Sequence, residues 1–211
     1  MSPTHDVGRD LVILVADKDM EAALKGLLSR TIALGCREID YEPYVHIERD
    51  PGCLRNSHTF LRPMVKHFEH ALVVFDHQGC GREQTDSQEL ERQVEDNLAA
   101  NGWGERARAI CLVPELEAWV WSASPHVPSV LGWSHNSDTL REWLVEHGWW
   151  SPAEPKPTKP KEAMEAVLRV TGLPRSSSVY CRLAERVSLG PCQDSGFMKL
   201  QGTLQEWFPP C

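Results

Sequence analysis

Four short apolar runs punctuate the chain, and the stretches between them repeat their apolar positions at helical spacing. Residues 11–16 (LVILVA) are uninterrupted, as in a strand buried on both faces, and Met20, Ala23, Leu24, Leu27 and Leu28 follow at helix period over residues 19–30. A weaker strand is predicted over residues 40–47, and stronger ones at ALVVF (71–75) and AICLV (109–113). A helix interrupted by proline is predicted at TFLRPMVKHF (59–68), and another at 89–99, where Leu90, Val94 and Leu98 share a face. Strands alternating with helices predict an α/β fold. The expected form is an open, mostly parallel four-stranded sheet with helices on both faces.

The pattern changes after Pro114. SASPHVPSVLGWSHNSD reads as loop, TLREWLVEHGWW as a tryptophan-rich amphipathic helix, and SPAEPKPTKPKEA as a proline and lysine linker. Two helices follow, over 177–187 behind Ser176 and over 195–207, where Phe197, Leu200, Leu204 and Trp207 align. The predicted organisation is therefore an α/β core over 1–122, a helical insertion and linker over 123–175, and C-terminal helices over 176–211 that pack on the core.

Composition narrows the function classes. With 211 residues, 41% hydrophobic and 25% charged, the chain can build one sizeable core. A net charge of −8 argues against coating nucleic acid by electrostatics alone, though not against a local basic groove or an ion bridging acids to phosphate. Seven scattered cysteines without C-x-x-C spacing do not suggest zinc or redox work. No apolar run reaches the length of a membrane span, and the N-terminal MSPTHDVGRD lacks the basic-then-apolar order of a signal peptide. The expected location is cytoplasmic.

In an open α/β sheet the residues just beyond the strands form one rim, where ligands bind. Here all four predicted strands end in acids: Asp17 and Asp19; His46, Glu48 and Asp50; Asp76, His77 and Gln78; Glu115 and Glu117. Asp17 is expected on the functional rim and Asp19 at the helix cap. Asp50, before Pro51 and Gly52, reads as a turn former. Glu117 is favoured over Glu115 because it adjoins the apolar Trp119–Trp121 segment. Carboxylates gathered on one rim repel unless they share a cation, and an all-oxygen set favours Mg²⁺ or Mn²⁺. Gly79 and Gly81, in GCGRE, form a weak candidate phosphate cradle. His67 and His70, in HFEH, read as a solvated helix face, and Lys156, Lys159, Lys161 and Arg175 as solvated linker charges able to touch phosphate.

These rim motifs resemble the TOPRIM superfamily, the metal-dependent domain of primases, type II and IA topoisomerases and OLD-type nucleases. In that family an acid ends the first strand and acts in acid–base catalysis, while a D-x-D pair after the third holds Mg²⁺. Asp17 stands where the family has Glu, and Asp76-His77-Gln78 stands at the D-x-D. More specifically, LVILVADKDMEAALKGLL, ERDPGC, FDHQGCGRE, PELEAWVWS and LAERVSL are similar to the small fourth component of bacterial methylation-associated anti-phage defence systems. The resemblance implies a role in phage defence beside the other components of such a system. Taken with the rim acids, it points to Mg²⁺-dependent phosphodiester cleavage or phosphate binding, with Asp17, Asp76 and Glu117 expected in catalysis and Asp17, Asp76, Glu117 and Glu115 as metal ligands. His77, Gln78 and the glycines Gly79 and Gly81 of the candidate cradle would contact phosphate or water. The alternative is a degenerate module that binds a partner protein or a nucleic-acid end without turnover, for which Trp133, Trp143, Trp149 and Trp150 supply candidate anchors.

Overall fold

The structure is a computed structural model and describes residues 8–122, 124–134, 139–190 and 192–210. The N-terminal residues 1–7, positions 135–138 of the predicted loop and Cys211 lie outside the described residues. Four strands, β1 (Arg9–Val15), β2 (Tyr41–Val45), β3 (Phe68–Asp76) and β4 (Ala107–Leu112), form one parallel sheet in the order β2-β1-β3-β4. Leu11 to Val15 are fully buried because β1 is central, whereas every residue of β2 is half-buried. Pro43 is tolerated there because β2 is an edge strand, and the same exposure explains its weaker apolar pattern.

Helix α1 (Lys18–Leu28) and the short α2 (Thr31–Leu34) link β1 to β2; α3 (Arg49–Leu61) carries the chain back across β1 to β3, and α4 (Ser87–Leu98) links β3 to β4. Parallel crossovers are right-handed, so reversing the direction of travel after β2 puts α1 on one face and α3 and α4 on the other. Beyond β4 come α5 (Glu117–Val120), α6 (His126–Val130), α7 (Leu140–Glu146), α8 (Pro160–Thr171), α9 (Ser177–Arg186) and α10 (Ser195–Trp207). Helix α9 packs on α1, and α10 packs on β4 and α2. One continuous apolar cluster runs from the sheet through Leu144, Met164, Leu183 and Leu204, so the segment after β4 shares the core of the sheet. No helix among the described residues is long and apolar enough to cross a membrane.

The departures from the sequence reading have local causes. Helix α3 occupies the stretch read as a turn, and the helix expected over 59–68 ends early. The buried face of α3 is Gly52, Cys53, Leu54, Ser57 and Leu61, too poor in large apolar groups to show periodicity. Pro51 lies in its first turn, where no intrahelical donor is lost. His70 therefore sits in β3, stacked on Trp207 with ring centroids 4.3 Å apart, and not on a solvated helix face with His67. Helix α8 rises from the stretch read as linker: Pro160 takes its first position, and Ala163, Met164, Val167 and Leu168 are buried. The predicted loop over 122–138 contains α6. Of the insertion's tryptophans, Trp133 pairs internally with Trp143 at 5.2 Å, and Trp150 packs on Trp121, just before the insertion, at 5.8 Å between centroids.

Candidate functional site

The strand ends are level. Val15 lies opposite both Val45 and Val74, and Asp76 opposite Leu112, so the residues following the four strands share one edge of the sheet. The chain leaves β1 toward β2 on one side and returns to β3 on the other, which makes the β1/β3 gap the topological switch point. Asp17 and Asp76 flank that gap.

The rim acids are oriented by hydrogen bonds to their carboxylate oxygens. Asp17 is the N-cap of α1: its Oδ1 accepts from the backbone N–H groups of Asp19 (3.0 Å) and Met20 (2.9 Å). The cap is thus Asp17 and not Asp19, because the extended backbone of Asp17 (φ −153°, ψ −179°) is what lets a side chain fold back over the first turn. Asp19 turns instead to Ser177, whose hydroxyl donates at 2.7 Å, and to Arg175 at 3.2 Å.

Asp50 is also corrected. It lies in the first turn of α3, behind Arg49 with its left-handed backbone (φ 52°), and its carboxylate accepts the backbone N–H of Asp76 at 2.7 Å. Asp76 in turn accepts the N–H of Leu116 at 2.9 Å. Successive carboxylate-to-backbone bonds therefore tie α3 to the end of β3 and β3 to the segment after β4. In that segment Glu115 and Glu117 are both buried and part company: Glu115 accepts from the backbone of Lys161 (3.1 Å), and Glu117 from the Tyr180 hydroxyl (2.6 Å) and Arg175 (3.3 Å).

Burial pushes the Asp76 carboxyl well above its ordinary value near 3.8, and Asp50, Glu117, Asp17 and Glu115 add to the effect in that order. Asp50 is raised too, by burial first and by Asp17, against the Asp76 N–H and Arg49. Glu115 is raised by burial and by Glu117. The field reaches Cys53, whose thiol is pushed well up by burial and by Asp50, Asp17 and Asp76.

Among the described residues, no Lys, Arg or His forms an ion pair with Asp17, Asp50 or Asp76. The other half of the rim is compensated: Arg175 bridges Asp19, Glu117 and, at 2.8 Å, Glu165. Arg175 is thus a rim residue and not a solvated linker charge. Lys156 pairs with Asp194 at 3.3 Å. Of the residues that complete the site, Asp50 stood among the acids after the second strand but was read as a turn former, Arg175 was read as a linker charge, and Tyr180 gave no signal.

The loop after Asp76 is pinned at its base. His77 and Gln78 donate their backbone N–H groups to the carbonyls of Leu112 and Pro114, each at 2.8 Å, and the His77 ring Nε2 lies 2.8 Å from the Thr85 carbonyl. Cys80 is buried while Gln78, Gly79 and Gly81 are exposed. The N–H groups of Gly79 and Gly81 face the carboxylate of Glu83.

The donor set, carboxylates without soft ligands, suits a hard divalent cation. Among the described residues, no three His, Cys, Asp or Glu side chains converge closely enough to hold one unaided. An ion of the Mg²⁺ kind takes only one or two protein carboxylates and completes its shell with water and substrate phosphate. Comparison of the chain with models of protein families, with curated proteins and with solved structures finds no match.

Proposed function

We propose that this chain is a TOPRIM-like domain that binds Mg²⁺ or Mn²⁺ and cleaves or holds phosphodiesters as a component of a bacterial anti-phage defence system. The observation that carries the reading is Asp76. Its carboxylate sits at the switch point, has one oxygen fixed by Leu116, feels the charge of four further acids and lacks a cationic partner among the described residues. A carboxylate so placed takes up protons more readily than usual, and a divalent cation relieves the same repulsion.

Asp76 and Asp17 would hold the ion, with Glu117 and Glu115 as the further acids of the rim. When bound, such an ion supplies Lewis acidity at a phosphoryl oxygen. The chain's own contributions are orientation and proton handling. Asp17 is held by the α1 backbone and serves as a further ligand or as general acid and base, His77 and Gln78 face the phosphate or its water, and Arg175 fixes Glu117. Calorimetric titration of Mn²⁺ and Mg²⁺ into wild type and Asp76→Asn tests the reading, since asparagine keeps the acceptor for Leu116. Stoichiometric binding lost in the variant is expected; binding unchanged by the substitution, or none at millimolar metal with substrate phosphate present, overturns it.

One observation favours the second reading, a module that binds a partner protein or nucleic-acid end without turnover: Glu117 is already engaged by Tyr180 and Arg175. In that case Asp76→Asn leaves recovery of the other defence components from cells, and protection against phage, unaltered.

A further inference from the structure

The loop Gly79–Glu83 has the geometry of an anion receptor with its own anion inside. The backbone N–H groups of Gly79 and Gly81 both donate to Oε1 of Glu83, each at 3.0 Å. Two N–H groups separated by one intervening residue and converging on a single oxygen form a nest, the concavity with which backbones bind phosphate and carboxylate. Both glycines are left-handed, with φ of 90° and 82°, and a Cβ at either would meet nothing within 4 Å. Glycine is required here by backbone conformation and not by crowding.

Three further features point to an external anion. The nest is preorganised, because His77 and Gln78 are bonded to Leu112 at the end of β4 and to Pro114 beyond it, and Cys80 is buried beneath. Arg82 bonds only the neutral oxygens of Thr85 and Gln93 among the described residues, so its charge is not cancelled by an acid. Glu83 is exposed, and nothing but the loop itself retains it. Its carboxylate lies below its ordinary value because the backbone N–H groups of Glu83, Gly81 and Gly79 donate to it, with the His77 charge adding.

We propose that Gly79, Gly81 and Arg82 form a phosphate-binding nest gated by Glu83, whose carboxylate occupies the site until a phosphate group displaces it. The proposal deepens the phosphodiester reading of the rim and rests on it for the ligand class. A tethered carboxylate competes at an effective concentration of about millimolar or more, so its removal tightens phosphate binding by about tenfold.

The test records amide spectra of the full chain in chelator, without divalent metal, while inorganic phosphate or a short single-stranded oligonucleotide is added. In Glu83→Ala the Gly79 and Gly81 amides are expected to shift saturably, at about tenfold lower phosphate than in wild type. Adding Arg82→Gln to that variant is expected to weaken binding again. Shifts produced at lower concentration by the oligonucleotide mark a nucleic-acid backbone as the source, and shifts by phosphate alone mark a small phosphate; both support the nest. If neither probe moves these amides in Glu83→Ala, while its circular dichroism matches wild type, the proposal is overturned. Because no metal is present, that result leaves the metal reading to stand or fall on Asp76.

Discussion

At the scale of single residues, the two oxygens of a rim carboxylate can serve different ends. One oxygen of Asp17 caps α1, and replacing a capping Asp by Ala typically costs about 1 kcal/mol. Asp17→Ala is therefore expected to lower both stability and metal affinity, whereas Asp17→Asn keeps the acceptor and lowers metal affinity alone. Denaturant unfolding beside calorimetry separates the two. Asp76 gives a prediction in pH. Its folded value lies well above the ordinary one near 3.8, so between the two the native state binds more protons than the unfolded chain and stability falls as pH rises. Wild type should lose stability relative to Asp76→Asn across that interval, by at most about 1.4 kcal/mol per pH unit, with no difference in slope below it. Thermal melts of both proteins in chelator check this. Mg²⁺ should restore wild type and leave the variant unchanged.

At the scale of elements, the contact of α1 with α9 decides whether the rim keeps Glu117 in place, since α9 carries Tyr180 and Arg175 lies just before it. Gly26 sets that contact. A Cβ there would lie 2.5 Å from the Cys181 carbonyl oxygen and 2.9 Å from the Ala184 Cβ. Helix propensity favours Gly26→Ala by up to about 1 kcal/mol, but overpacking costs about 1–3 kcal/mol. Net destabilisation is expected, together with a shift of the Tyr180 resonances, and a more stable variant with unshifted Tyr180 would contradict the packing described. The elements legible in advance, β1, β3, β4, α1, α4, α7, α9 and α10, with β2 as the weaker strand, mostly carry large apolar side chains at a clean period. Helix α3 was illegible because Gly52, Cys53 and Ser57 form much of its buried face, the first packed so closely that a side chain there would strike the His46 ring. Helix α8 was hidden by the prolines and lysines before it, although Ala163, Met164, Val167 and Leu168 keep helical order.

At the scale of the whole molecule, one apolar cluster spans the sheet and the helices after β4, so heat or denaturant should unfold the chain in a single transition. Tryptophan fluorescence, to which the insertion contributes four of the eight tryptophans, and far-ultraviolet circular dichroism, which reports all helices, are expected to give coincident midpoints; a separate fluorescence transition would mean an insertion that folds on its own. The sequence by itself determined the parallel α/β class and the acids at the strand ends, because both follow from local alternation of apolar runs and polar punctuation. Tertiary structure decided the rest: that Asp17 and not Asp19 takes the cap, that Asp50 joins Asp76, that Arg175 and Tyr180 cross from distant segments to Glu117, and that Glu83 fills its own glycine nest. Those pairings depend on which strand ends are level and which helices lie over them, and such contacts between remote segments leave no periodic trace along the chain.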